Sequence, residues 1–545
     1  MHRLWFVTCV VLAAGCGSSS SDPSPAAATD SGMSDAVTDS HVPSDPVADL
    51  RPNECKGPRE APLPSGDGGF RCVLVGADDT AAAAEWPETS SAEAPVVFVR
   101  PGATGGDGSK TSPYGTLGAA LAATPAARTV VLARGAHVVS SVVKLTGTVT
   151  IVGAGANPDG TKGTTLAATT SAFSIEGSTA KVTISGLSIS YPATCAPATV
   201  GFDASAGSEL TLKNVLVSGA GDALRATGSK VTATGFSALK GCSRGIAVLA
   251  GSDAKLDSFL VRDGKQIGVV VDDGHVDAST GWIMLNGAAG VSFRGAKSGV
   301  ASKLSAVAIQ CNELTGLTVD GATVEATTLT ISDARKVAGA GGDGVVVRGG
   351  GSLKLDASIA SDAERGFGTQ ILINARAGLV VSGKGSAVTI NGAIVASNGG
   401  PGAFVQDGAT ASIGYGRWRR NVGVGIAATS GGSIVAIQCN ELEGTRAGAV
   451  DTSAGKLSLL GDALSFSEGS SAAAVTRNEL SRNDGFAALF VAATGALVEN
   501  TGTCNGFPVA GYDGAKYTQD DPGTLPGNSP APATTPVVAK GQLAL

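Results

Sequence analysis

Hydrophobic and polar positions alternate in short bursts along most of this chain, and the bursts repeat. The recurring phrase is a Gly, aliphatic residues alternating with smaller ones, a Gly-containing turn, and a second alternating strand. Gly245-Ile-Ala-Val-Leu-Ala-Gly-Ser-Asp-Ala-Lys-Leu256 is one copy, and Gly344-Val-Val-Val-Arg-Gly-Gly-Gly-Ser-Leu-Lys-Leu355 is another. Further copies begin near Gly201, Gly221, Gly268, Gly290, Gly316, Gly378, Gly402, Gly425 and Gly448. From Gly245 onward the starts are 22 to 34 residues apart, so the repeat has elastic loops rather than a strict period.

Two short strands per copy cannot pair with each other as a hairpin if successive copies stack. Stacking instead sets Val over Val and Ile over Leu in every coil, at about 4.8 Å per step. Each buried aliphatic side chain then contributes roughly 1.5–3 kcal/mol before the entropy of ordering is counted. The pattern predicts an all-β fold, a parallel β-helix growing as a quasi-one-dimensional rod. An Asn marks the turn ahead of several strands: Asn286, Asn312, Asn398 and Asn421 each stand four residues before Gly290, Gly316, Gly402 and Gly425. Asn tolerates the left-handed conformation and its amide can bond the same amide one coil away, so these residues are expected to form a structural ladder.

One stretch carries a family likeness. Val96-Val-Phe-Val-Arg-Pro-Gly-Ala, then Gly105-Gly-Asp-Gly-Ser-Lys-Thr-Ser-Pro-Tyr-Gly-Thr-Leu-Gly-Ala-Ala-Leu121, resembles the opening of right-handed parallel β-helix proteins of the pectate-lyase-like superfamily. Thr129-Val-Val-Leu-Ala-Arg-Gly-Ala-His137 and Val149-Thr-Ile-Val-Gly-Ala-Gly155 are similar to that family's first two coils. The resemblance covers about Val96 to Gly506 and implies a right-handed solenoid. Leu117, Ala120 and Leu121 fall on one helical face, which suits a short helix capping the N-terminal end of the rod. It implies a fold rather than a reaction, because the superfamily hosts many activities.

The ends of the chain read differently. His2 and Arg3 precede an apolar stretch, Leu4 to Ala14, that is too short to span a bilayer and suits an export signal over residues 1–15. It ends in Ala13-Ala14-Gly15-Cys16, which resembles the lipobox of bacterial lipoproteins, with Ala13 where Leu is usual. That resemblance implies lipidation of Cys16 and firm attachment to a membrane. Gly17 and Ser18 lack an acidic inner-membrane retention signal, which favours the outer membrane. Residues 16–50 are rich in Ser, Ala, Pro and Asp and read as a tether. Residues 51–95 form a separate Cys-containing segment, residues 96–506 the β-helix, and residues 507–545 a Pro-rich tail.

Composition narrows the function classes. The 545 residues include 78 Gly but only 4% aromatics, which suits tight turns between strands better than a deep-walled pocket. A net charge of −7 without a basic stripe argues against a nucleic-acid partner. Seven Cys follow Cys16, and an exported chain permits disulfides. Cys55 and Cys72 bracket a short Gly/Pro-rich stretch and are the most plausible pair. Val307-Ala-Ile-Gln-Cys-Asn-Glu-Leu314 recurs word for word as Val435-Ala-Ile-Gln-Cys-Asn-Glu-Leu442. Cys311 and Cys439 are therefore expected as buried small residues at equivalent turns, five coils apart and unbonded. Cys195 and Cys242 lie two coils apart, marginal for a bridge.

Catalytic signals are weak. Asp272-Asp273-Gly274-His275 closes a coil strand. Its paired carboxylates suit calcium, or acid and base roles in glycoside cleavage, if the chain is a lyase or hydrolase. It lacks the neighbouring acidic, Gly-His-Gly and Arg motifs known from pectate lyases and polygalacturonases of this fold, so a solvated turn is the plainer reading. Arg417-Trp418-Arg419-Arg420 is the densest basic-aromatic cluster and suits an acidic sugar through hydrogen bonds and ring stacking. No Cys/His cluster suggests zinc, and no cofactor is expected. The leading expectation is a surface-displayed, lipid-anchored protein with a non-catalytic binding or structural role toward polysaccharide. The alternatives are a polysaccharide lyase or glycoside hydrolase acting on acidic polysaccharide, and an adhesion protein whose faces meet other surface proteins.

Overall fold

The computed structural model describes residues 55, 57–64, 70–87, 95–123, 128–194, 196–295, 299–356, 368–452, 455–520, 525 and 531. The export signal, Cys16, the tether, Cys195 and the prolines of the tail from Pro522 onward lie outside these residues. The repeats stack as a parallel β-helix with three sides. One side is a 15-stranded parallel sheet running from Val143–Leu145 to Ala510–Tyr512. In the coils from Lys181 to Ser332 the other two come from one longer strand, such as Asp253–Arg262, bent at Ser258 (φ 50°), and further along from two separate strands, such as Ser433–Gln438 and Glu441–Glu443. The first half of each bent strand is called face one, the second half face two, and the 15-stranded side face three.

Alternation decides which side chains turn inward. On face three Val269, Val291, Leu317, Val345 and Leu379 stack in register, the like-on-like stacking the pattern predicted. They join one continuous buried core with Leu256, Phe259, Ile283 and Trp418.

Left-handed residues mark all three kinds of corner, as at Ser258, Asp263 and Asp273, and Asn ladders back two of these corners along parts of the rod. After face two, Asn374 and Asn398 pass a side-chain amide hydrogen bond from coil to coil to Asn421, each at 2.9 Å. Asn286 and Asn312 form the same link earlier in the rod, and Asn483 and Asn505 later. A second ladder, Asn440, Asn478 and Asn500, runs along the corner after face one. Each Asn oxygen accepts from the amide of the coil before it, so removing one strands buried donors on its neighbours. Asn398→Ala is expected to cost about 3 kcal/mol in urea unfolding followed by circular dichroism.

The two identical octapeptides show what these corners have in common. The strand Ser302–Gln310 ends at the corner after face two, where Cys311 (φ 53°) precedes Asn312. The strand Ser433–Gln438 ends instead at the corner after face one, where Cys439 (φ 53°) precedes Asn440. Both corners need a left-handed residue followed by a ladder Asn, so one peptide satisfies either. Five register steps separate the two coils. The expectation of equivalent turns is therefore corrected. Val307 is buried, whereas Val435 is 55% exposed at a bulge in the ladder. Both cysteines are half-buried rather than buried, because a left-handed corner turns its side chain away from the core. Cys439 carries a free thiol, so it is not bonded to Cys311, as expected, while Cys311 and Cys242 are each disulfide-bonded.

Two boundaries also differ from the sequence reading. Gly448 opens no coil: Gly448–Thr452 pairs antiparallel with Gly455–Leu459, and the next coil strand is Asp462–Ser467. This hairpin covers Val424 and Phe404 on the outside of face three. The last coil strand is Lys516–Gln519, beyond the expected end at Gly506, and Leu525 is buried in the core. That coil departs from the aliphatic pattern because it stacks Tyr517 on Phe490 rather than one aliphatic on another. The helix Leu117–Ala123 follows the first solenoid strand, Val96–Val99, and buries Leu117 and Ala120 against the core.

The segment before the solenoid is a strap laid along face two. Glu60–Pro64 and Phe70–Leu74 form a hairpin, and Cys55 and Cys72 are joined by a disulfide. Ala61, Leu63 and Val75 pack on Leu260, Trp282 and Ala308, outward-pointing residues of face two. Phe70 packs on Leu372, Ile394 and Ala396. Gly76 (φ 77°) lets the strap lie flat, since a Cβ there would stand 2.5 Å from Ser237 Oγ and 2.7 Å from Leu260 Cβ.

Candidate functional site

The two clusters singled out in the sequence fare differently. Asp272 is the last residue of its face-three strand and points to solvent opposite Arg294 of the next coil, with Asp320 and Arg348 continuing the alternation. Asp273 takes the left-handed corner (φ 50°). His275 opens face one, with Nδ1 3.5 Å from Asp253 Oδ1 of the preceding coil. A tight corner thus divides the triplet between two faces. Among the described residues no group of three or more His, Cys, Asp or Glu side chains could hold a metal ion.

In the basic cluster, strand alternation separates the members. Trp418 points inward and is fully buried, its Nε1 donating to Asn440 Oδ1 at 3.3 Å. It cannot stack on a sugar, and that part of the expectation is corrected. Arg417 and Arg419 point outward on face two, while Arg420 (φ 53°) turns the following corner. Arg417 and Arg419 are met by carboxylates of the next coil, because Arg417 stands over Glu441 and Arg419 over Glu443. Arg417 Nε is 3.1 Å from Glu441 Oε2, and Arg419 also pairs with Glu441. Arg482 Nη1 reaches Glu443 Oε1 at 2.9 Å. Arg417 and Arg419 thus belong to an ion-pair network rather than to a patch of unpaired arginines.

An aromatic ring does stand beside it. Tyr415, 40% exposed, occupies the left-handed corner (φ 55°) just ahead of Arg417. Two coils on at the same corner, Arg477 Nε bonds Glu499 Oε2 at 2.6 Å, and both side chains are largely exposed. Tyr415, Arg417, Glu441, Glu479, Arg477 and Glu499 therefore share one open edge of face two. The usable sequence signal was the Gly416 spacer, which places Tyr415 on the corner and Arg417 on the outward row.

Face one is also left uncovered by the described residues but offers different chemistry. One outward row runs Thr150, Thr183, Thr211 and Thr232, then alternates Lys255, Asp277, Lys303, Glu325 and Lys354. It presents hydroxyls and balanced charge, and this row holds no ring.

A family model described as right handed beta helix region matches residues 281–442. Among solved structures, the chain is similar to the A-module of the mannuronan C-5 epimerase AlgE4 of Azotobacter vinelandii, with 14% identity and a TM-score of 0.27, covering 80% of this chain and 100% of that one. It is similar to the periplasmic alginate epimerase AlgG, with 10% identity and a TM-score of 0.26, over 72% of this chain and 84% of that one. It is also similar to the catalytic domain of a GH87 alpha-1,3-glucanase in complex with nigerose, with 12% identity and a TM-score of 0.23, over 75% of this chain and 64% of that one. No curated protein matches the chain.

Proposed function

We propose, for a chain that folds as a right-handed parallel β-helix, that it is a lipid-anchored rod displayed on the outer membrane that binds a neutral polysaccharide without cleaving it. The observation that carries this reading is the open edge at Tyr415. An exposed ring beside fixed Arg–carboxylate pairs offers what a sugar needs, a flat apolar surface for its C–H face and oriented donors and acceptors for its hydroxyls. Because each arginine named there faces a glutamate, the edge has little net charge to reward a uronic acid. This moves the ligand class from the acidic sugar expected of an unpaired basic cluster to a neutral one. Glu441 and Glu443 are held by arginines from neighbouring strands, an arrangement that suits them to accept hydrogen bonds from hydroxyls.

The test uses the full chain carrying Cys16→Ser, incubated with xylan, mannan and β-glucan, with and without calcium. Retention of at least one glycan with no shortened or unsaturated product is expected. Appearance of such products would overturn the non-catalytic part. The anchor rests on the lipobox-like Cys16. Labelled palmitate is expected to enter the wild-type chain and to be absent from Cys16→Ser, and label persisting in that variant would refute it.

A further inference from the structure

We infer that the site takes the end of a glycan chain rather than a stretch of its interior, an inference that rests on the polysaccharide reading above. One outward row of face two runs unbroken along the rod. Leu216, Ser237, Leu260, Trp282 and Ala308 stand in register at its start, and Thr330, Gln370, Ile394, Arg417, Glu441, Glu479 and Thr501 continue it. The strap treats the first part of this row as a track for an extended polymer. Ala77 N donates to Ser237 Oγ at 2.8 Å, Thr330 Oγ1 donates to Pro62 O at 3.2 Å, and Leu63 packs in one cluster with Leu260 and Trp282. Side chains of face two therefore already bind an extended chain, and that chain is the protein's own.

The described part of the strap reaches a defined coil. Phe70 packs on Ile394 and Ala396, which stand directly under Arg417 and Arg419 in the ladder. Beyond that point the row is charged, and Arg417, Glu479 and Thr501 are exposed. From Arg417 to Thr501 it spans three strand steps, about 14 Å at ~4.8 Å each. A polymer laid along this row meets the hairpin at Phe70 and cannot continue past it. Only a chain terminus, or a free oligosaccharide a few rings long, fits between the hairpin and Thr501.

The distinguishing measurement is stoichiometry. The full chain carrying Cys16→Ser is titrated calorimetrically with xylan, mannan and β-glucan of graded lengths, and with the tetrasaccharide of each. End recognition predicts that the tetrasaccharide and polymer of the bound glycan have dissociation constants within threefold of each other per chain. It also predicts that the number of proteins per polymer stays constant as the polymer lengthens. A number of proteins that rises in proportion to polymer length would overturn end recognition and leave polysaccharide binding standing. Absence of binding to every glycan would overturn both.

Discussion

Arg376→Met is expected to destabilise the protein by about 3–5 kcal/mol, because it leaves one carboxylate buried without its cation. Asp343 and Arg376 are 2% and 4% exposed. Arg376 Nε donates to Asp343 Oδ1 at 2.7 Å, its Nη2 donates to the other oxygen, and Ala377 N adds a bond at 3.1 Å. The pair sits where the chain enters face three, a position that Asp222 and Arg244 fill in the same way earlier in the rod. Removing both charges at once should cost far less, since a buried pair repays little more than its own desolvation. Urea unfolding of Arg376→Met beside Asp343→Leu/Arg376→Met makes the comparison. A single variant as stable as the wild type would show that the pair is hydrated and contributes little.

Asp462→Asn is expected to raise stability at pH 8 and to flatten part of its pH dependence. Asp462 occupies the same entry position as Asp222 and Asp343, but the residue over it in the next coil is Phe486 rather than an arginine. Burial pushes its carboxyl up from 3.8 to about 7, against the opposing hydrogen bonds from Phe486 N and Ser465. A group whose pKa rises on folding holds its proton more tightly in the folded state. Its contribution to stability is therefore complete below 3.8 and is lost as pH climbs to about 7. The loss amounts to roughly 4 kcal/mol, at 1.36 kcal/mol per pKa unit. The difference between wild type and Asp462→Asn across pH 4 to 8 isolates this group from the other carboxylates. A difference that stays flat over that range would mean that Asp462 is ionised and solvated in the folded protein.

Much of the architecture was legible because a solenoid repeats its physics. Like-on-like aliphatic stacking and the ladder Asn ahead of Gly290, Gly316, Gly402 and Gly425 gave the coil and its register from local pattern alone. Asn374, four residues before Gly378, obeys the same rule and completes that ladder.

What local pattern could not give was which of two similar corners a turn occupies. Val307–Leu314 and Val435–Leu442 are the same peptide on different corners, and only neighbouring coils decide that Val307 is buried and Val435 exposed. The inward turn of Trp418 followed from strand alternation, but in Arg417-Trp418-Arg419 the high charge drew attention to a surface that the ring does not reach. The strap was illegible for a different reason. Its cover over Leu260, Trp282 and Ile394 depends on contacts some two to three hundred residues apart in sequence. Without it, those outward apolar side chains on face two have no evident reason to be there.

The central claim is that the open edge of face two, and not the hydroxyl rows of face one, binds glycan. Affinity electrophoresis through gels carrying the glycan retained by the wild type tests it most directly, comparing Tyr415→Ala with Thr211→Ala. The account predicts that Tyr415→Ala loses at least tenfold in affinity, about 1.4 kcal/mol, while Thr211→Ala runs like the wild type. Retardation kept by Tyr415→Ala and lost by Thr211→Ala would contradict it and move the site to face one.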